Sequence, residues 1–153
     1  MSGVRVGDLA PDFTLPDQLG EPVCLGQLVG KKNVVLYFYP KDATPGCTAE
    51  ARAFRDAYDT FTAADTEVIG VSSDSIPSHK RFAAKHQLPF KLLSDRDGAV
   101  RALYGVERTL GILPGRVTYV IDRDRVVQHV YSSQLAATRH VQEARQALRC
   151  MVR

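Results

Sequence analysis

Val34-Val35-Leu36-Tyr37-Phe38, followed at once by Tyr39-Pro40-Lys41-Asp42-Ala43-Thr44-Pro45-Gly46-Cys47-Thr48, decides how this chain is read. The first five residues are β-branched, aromatic or leucine with no polar break, the pattern of a strand covered on both faces. Two prolines and a glycine then punctuate the chain as a turn. Beyond it, residues 47 to 63 carry Phe54, Ala57, Tyr58 and Phe61 at spacings of three and four, one face of an amphipathic helix. The turn therefore sets Cys47 at the start of a helix, where free backbone N–H groups and the helix dipole favour an anion and so a thiolate. Cys47 is the candidate reactive atom.

Upstream, residues 11 to 20 read as an extended segment and a turn, with a short strand near Val23-Cys24-Leu25, together a hairpin leading into the core. Downstream, Val68-Ile69-Gly70-Val71-Ser72 is a second buried strand, and Pro77 through His86 a second helix with proline suited to its first turn. Phe90-Lys91-Leu92-Leu93 is a short strand, and Gly98 through Tyr104 a short helix. Val117 to Ile121 and Val126 to Val130 flank Asp122-Arg123-Asp124-Arg125, a hairpin with a solvated turn. A last helix is expected over residues 135 to 149. Parallel βαβ units followed by an antiparallel hairpin and a helix make the thioredoxin-like arrangement, an α/β sandwich with a central mixed sheet flanked by helices.

The chain has 153 residues, 44% hydrophobic and 24% charged, which suits one domain over 1–153 without disorder. Its net charge of +3 comes from 20 basic and 17 acidic residues spread along the chain, so no nucleic-acid partner is expected. The first residues lack a secretory pattern, and no apolar run approaches the roughly 18 residues of a membrane span. A cytoplasmic location and no membrane partner are the expectation. Three cysteines, at 24, 47 and 150, are too few and too scattered for a disulfide framework. His79, His86, His129 and His140 have no metal-ligand spacing with them, so no metal is expected and these histidines read as packed or solvated. Phe38, Phe54, Tyr58 and Phe82 read as packing residues.

Thr44-Pro45-Gly46-Cys47 has the spacing of a Cys-x-x-Cys redox motif with threonine in the first position, so no dithiol can cycle across it. Pro40, Thr44 and Cys47 spell Pro-x-x-x-Thr-x-x-Cys. With Ala10-Pro11-Asp12-Phe13, Phe54-Arg55-Asp56, Gly70-Val71-Ser72, Leu92-Leu93-Ser94-Asp95 and Arg116 through Asp122, this makes a chain that strongly resembles the peroxiredoxins, in the bacterioferritin comigratory protein or Q-type branch. The resemblance implies a thiol-dependent peroxidase that reduces hydrogen peroxide and organic hydroperoxides at a peroxidatic Cys47, without cofactor or metal. It implies that Arg116 stabilises the thiolate and helps position the peroxide, that the Thr44 hydroxyl and the Cys47 N–H hold the peroxide oxygens, and that Pro40 shields the thiolate. Glu50 is expected to orient Arg116. Thr44 as a mere helix cap and Arg116 as a surface charge are the plainer alternatives. Acidifying a thiol raises its thiolate fraction but lowers its nucleophilicity, so the larger rate term should be stabilisation of charge on the departing oxygen.

The chain also departs from that branch. The usual resolving-cysteine positions hold Arg52 and, by alignment, Ala83, and the segment Gly105 to Gly115 is shorter than in many relatives. Cys24 reads as a core residue of its strand. Cys150, three residues from the last residue given, is the more exposed candidate for a resolving role. Otherwise recycling falls to an external thiol: thioredoxin, glutaredoxin or a low-molecular-weight thiol. A monomer is the expectation from the branch resembled. A redox sensor forming a mixed disulfide with a partner, and a thioredoxin-like domain without redox chemistry, are the competing functions.

Overall fold

A computed structural model of the chain describes residues 3–106, 108–109, 113–114, 116–133 and 137–151. The N-terminal hairpin is β1 (Thr14–Pro16) paired antiparallel with β2 (Pro22–Cys24), followed by the short helix α1 (Leu25–Val29). Then come β3 (Asn33–Phe38), α2 (Pro45–Asp56), α3 (Tyr58–Ala63), β4 (Thr66–Ser72), α4 (Ile76–His86), β5 (Lys91–Ser94) and α5 (Ala99–Tyr104). A two-residue pair, β6 (Arg108–Thr109) with β7 (Leu113–Pro114), precedes β8 (Val117–Ile121), β9 (Val127–Ser132) and α6 (Arg139–Cys150). The main sheet runs in the order β5-β4-β3-β8-β9. β3, β4 and β5 are parallel, while β8 runs antiparallel to both β3 and β9.

β3 is central, as its unbroken apolar run requires, and its alternate residues divide the interior. Val34, Leu36 and Phe38 enter one core with α1, Tyr104 of α5 and Tyr119 of β8. Val35, Tyr37 and then Tyr39 enter the other with Cys47, Phe54, Phe61, Phe82 and Val141, covered by α2, α3, α4 and α6. Tyr37 stacks on Phe54 with ring centroids 4.5 Å apart, and its ring lies across Gly70, where an added Cβ would come within 2.8 Å of it. Phe38, Phe54 and Phe82 are core residues; Tyr58 is half-buried and donates its hydroxyl to Glu67.

Four expectations need correction. The helix expected over 47–63 begins at Pro45 and breaks at Ala57, whose φ −97° and ψ 3° end α2 before α3 begins. The break leaves Phe54 and Phe61 in contact within one core, with ring centroids 5.9 Å apart, a bend that periodicity cannot register because both segments keep the same buried face. Cys24 is not a core residue: it is half-buried at the N-cap of α1, with Sγ 3.7 Å from Oδ1 of Asp12. Asp122 is not solvated: it is buried, and its Oδ1 accepts from the N–H groups of Asp124 and Val126 to hold the β8–β9 turn. The last helix begins at Arg139 rather than 135, with Ala137 and Thr138 in a turn before it; residues 135–136 of the expected span lie outside the described residues, as do residues 107, 110–112 and 115 of the 105–115 segment.

Candidate active site

The chain leaves the sheet after β3, and residues 39 to 44 carry it to α2. Asp42 anchors that crossing from within. Its Oδ1 accepts from the Tyr39 hydroxyl at 2.7 Å, its Oδ2 accepts from the Ser78 hydroxyl at 2.9 Å and lies 2.7 Å from Nδ1 of His79. Its own N–H donates to Asp74 at 2.8 Å. Nε2 of His79 donates to the Leu93 carbonyl at 3.0 Å. Asp42, Asp74 and His79 have the atom types of a metal site, with the relevant atoms within 4.8 Å of one another. Each of those atoms already makes hydrogen bonds, which is the arrangement of a latch on the loop. The latch holds Ala43 at φ +66°, a left-handed backbone that costs an alanine about 1–2 kcal/mol.

From that fixed point Thr44 becomes the N-cap and Pro45 opens α2. The Thr44 hydroxyl oxygen accepts from the Cys47 N–H at 3.4 Å, and its proton goes to the Lys41 carbonyl at 3.1 Å. Cys47 is only 1% exposed, packed among the aromatic residues of its core. Pro40 is half-buried at the point where the chain leaves β3.

Arg116 arrives from 69 residues away. Val117 pairs with Phe38 across the antiparallel β3–β8 ladder, so the residue just before it stands beside the exit of β3. Its Nη2 donates to Cys47 Sγ at 3.4 Å, and its Nη1 to Oε1 of Glu50 at 2.5 Å. Glu50 sits three residues after Cys47, on the same face of α2. Gly46 makes room: a Cβ there would lie 3.1 Å from the guanidinium. Arg116, Glu50 and Cys47 are all buried, so Arg116 is not a surface charge. Burial pushes the Glu50 carboxyl up to about 8 despite the neighbouring guanidinium.

Beneath Glu50 lies a group that the sequence did not mark. His140 of α6 is wholly buried, with Nδ1 2.7 Å from the Thr118 hydroxyl and Nε2 donating to the Ser133 carbonyl at 2.9 Å. Its Nδ1 is 3.7 Å from Oε2 of Glu50. Burial, with a contribution from Arg116, lowers its pKa to about 4. Neither His79 nor His140 had a spacing signal, because their partners lie 37 and 22 residues away.

The other two cysteines are kept from Cys47. Val23 and Leu25, which flank Cys24, belong to the core on the opposite face of the sheet. Cys150 is exposed in a groove of about 800 Å³ with Asn33, Asp65, Arg123 and Met151, at the end of the sheet where β3 begins. α6 runs from His140 at the site to Cys150, ten residues on, which is about 15 Å along its axis. Arg52 is exposed, and Ala83 is buried in the core that holds Cys47.

Comparison with known proteins agrees with this geometry. The AhpC/TSA family matches residues 6–130. The chain is 51% identical to the chloroplastic peroxiredoxin Q of Sedum lineare over 97% of its own length and 80% of that protein's. It superposes on peroxidoxin BcpB from Mycobacterium tuberculosis with a TM-score of 0.91 and 40% identity, covering 98% of this chain and 99% of that one. A bacterioferritin comigratory protein from Xanthomonas campestris, studied for its alkyl peroxide reduction activity, gives a TM-score of 0.85 at 28% identity over 99% of both chains. With a lone buried cysteine at a helix start, held by an arginine from the neighbouring strand, the chain belongs to the AhpC/TSA family as a Q-type peroxiredoxin, a thiol-dependent peroxidase.

Proposed function

We propose that Cys47 is the peroxidatic residue and that it works by a one-cysteine cycle. The observation that carries this is the isolation of Cys47: its sulfur meets Arg116 at 3.4 Å, while Cys24 and Cys150 lie across the sheet and at its far end. In the oxidative step the thiolate sulfur attacks one peroxide oxygen and the O–O bond breaks. Sulfur keeps the attacked oxygen and its hydrogen as sulfenic acid, and the other oxygen takes a proton from solvent to leave as water or an alcohol. Arg116 stabilises the thiolate and the charge that develops on the departing oxygen. The Cys47 N–H and Thr44 hydroxyl now satisfy each other across a long 3.4 Å contact, so an entering peroxide oxygen replaces a weak bond. Pro40 screens the loop side of the sulfur, and Glu50 aims the guanidinium.

An external thiol, thioredoxin, glutaredoxin or a small thiol, then attacks the sulfenic sulfur and releases water, and a second thiol completes the reduction. Because Cys47 is 1% exposed, this half of the cycle requires local opening of the α2 start. A reducing compartment such as the cytoplasm suits three unpaired cysteines and this dependence on thiols. Hydrogen peroxide and organic hydroperoxides are the substrates we assign, and a monomer the working state.

Intact-protein and peptide mass spectrometry after one equivalent of peroxide, with dimedone present, tests the cycle. A dimedone adduct at Cys47 that an added thiol prevents is the expected result. Rapid, complete Cys47–Cys150 linkage would replace it with a two-cysteine cycle.

A further inference from the structure

We propose that His140 is a positioning residue of the peroxidase site: with Glu50 it holds a single proton between Nδ1 and Oε2, and that proton sets how much of the Arg116 charge is left for Cys47. The Ser133 carbonyl can only accept, so Nε2 of His140 carries a hydrogen in every state. Nδ1 faces the Thr118 hydroxyl at 2.7 Å, which can donate to a bare nitrogen or accept from a protonated one. The ring can therefore gain or lose a proton without losing a hydrogen bond. Glu50 is placed the other way. Its Oε1 is held by Arg116, while Oε2 is buried with no hydrogen-bond partner and points at Nδ1 from 3.7 Å, an ion-pair distance too long for a hydrogen bond.

Charge counting shows what one proton does. With Cys47 as thiolate, Arg116 as cation, Glu50 ionised and His140 neutral, the buried cluster carries one net negative charge and an orphaned carboxylate oxygen, both costly out of water. One proton on the pair, on either Oε2 or Nδ1, brings the cluster to neutrality. A second would leave a buried positive excess beside Arg116, which the lowered His140 value opposes, while the raised Glu50 value keeps the first in place to about pH 8. Other groups facing His140 do not supply this proton. Tyr131 of β9 meets the ring edge-on at 4.7 Å, and Glu143, on the same helix, is engaged by His129 at 2.9 Å. When the pair loses its proton, Glu50 becomes a full anion competing with the thiolate for one guanidinium, and oxidation of Cys47 slows.

This inference rests on Cys47 being the peroxidatic residue, and the test separates the two. The single-turnover rate of Cys47 oxidation by hydrogen peroxide is followed from pH 6 to 10 in wild type, Glu50→Gln and His140→Gln, with thermal unfolding confirming the folded state. Wild type should slow at alkaline pH, Glu50→Gln should lack that fall, and His140→Gln should move it down by about one pH unit, because its amide can donate to Oε2 and favour the ionised carboxyl. A His140→Gln profile that superimposes on wild type, or that is lowered with its shape unchanged, would overturn the proposal. If His140→Gln does not fold, imidazole ¹⁵N NMR of the wild type decides: the Nδ1 shift of His140 should titrate with the alkaline fall, and a flat Nδ1 shift over that range rejects the shared proton. Wild type that does not react with peroxide at all would instead refute the peroxidase assignment of Cys47.

Discussion

The two ends of the central sheet hold the same functional group in opposite circumstances. At the C-terminal end of β3, Cys47 is buried at a helix start, with a guanidinium on its sulfur and a carboxyl behind the guanidinium. At the other end, Cys150 stands in an open groove beside Asp65 and Arg123, near the last residues of α6. Exposure alone would favour Cys150 as the reactive thiol. What distinguishes Cys47 is a set of donors already in place around its sulfur, and in the proposed cycle stabilising the displaced charge then requires little reorganisation. On the proposed assignment, reactivity is a property of position in the fold, and accessibility is a separate matter that local opening must supply.

The hardest test of that contrast is to remove each thiol in turn. Cys47→Ser should abolish peroxide consumption, while Cys150→Ser should keep wild-type turnover with an external thiol, measured as coupled reductant oxidation. Loss of turnover in a folded Cys150→Ser variant would erase the distinction between the two ends. Next comes the cation. Arg116→Met should slow Cys47 oxidation at least tenfold, since a charge-assisted hydrogen bond contributes about 1.5–3 kcal/mol, read as a second-order rate with hydrogen peroxide. An unchanged rate would take Arg116 out of the site.

The carboxyl behind the cation leaves a mark on stability as well as rate. The folded Glu50 value is raised to about 8, so as pH rises from about 4.5 the unfolded chain gives up this proton while the folded chain keeps it. Wild type should lose stability from this group across that window, and Glu50→Gln should not. Relative to wild type, Glu50→Gln should therefore be more stable at pH 8 than at pH 5, by roughly 3–4 kcal/mol. Urea unfolding at the two pH values measures this, and an equal difference at both would contradict the raised value. The smallest effect is expected from Gly46→Ala. The new Cβ must push the guanidinium by a few tenths of an ångström, which should slow oxidation about two- to fivefold with little change in stability. A rate equal to wild type would mean that the arginine–sulfur contact tolerates displacement.

The site was unevenly legible. Cys47 at a helix start could be read from the run 34–48, because a buried strand, a Pro-Gly turn and a 3.6 period are each written in neighbouring residues. Thr44 as the cap follows from the same stretch, and the structure adds that its proton is already committed to Lys41. Arg116 had no local signal and was found only through resemblance to a family. Asp42 lay within the turn with no signal of its own, and His79 and His140 read as packed or solvated, although His79 holds Asp42 and His140 faces Glu50. Cys24 was misplaced because β2 ends at that residue and hands the chain to α1, a boundary that a three-residue strand does not announce.

By itself, the sequence determined those features whose causes lie within a few residues: a strand buried on both faces, the order of the main-sheet strands and the longer helices between them, the helix start beneath Cys47, and the threonine that rules out a dithiol across Thr44 and Cys47. Only the tertiary structure decided the bend at Ala57, the register that brings Arg116 beside the exit of β3, the latch on Asp42, the orphaned oxygen of Glu50 above His140, and the separation of Cys150 from Cys47. The physical reason is range. Backbone sterics and hydrophobic period act between neighbours and leave a pattern in sequence, whereas a contact such as Cys47 with Arg116, 69 residues apart, exists only once strand pairing has closed the chain between them.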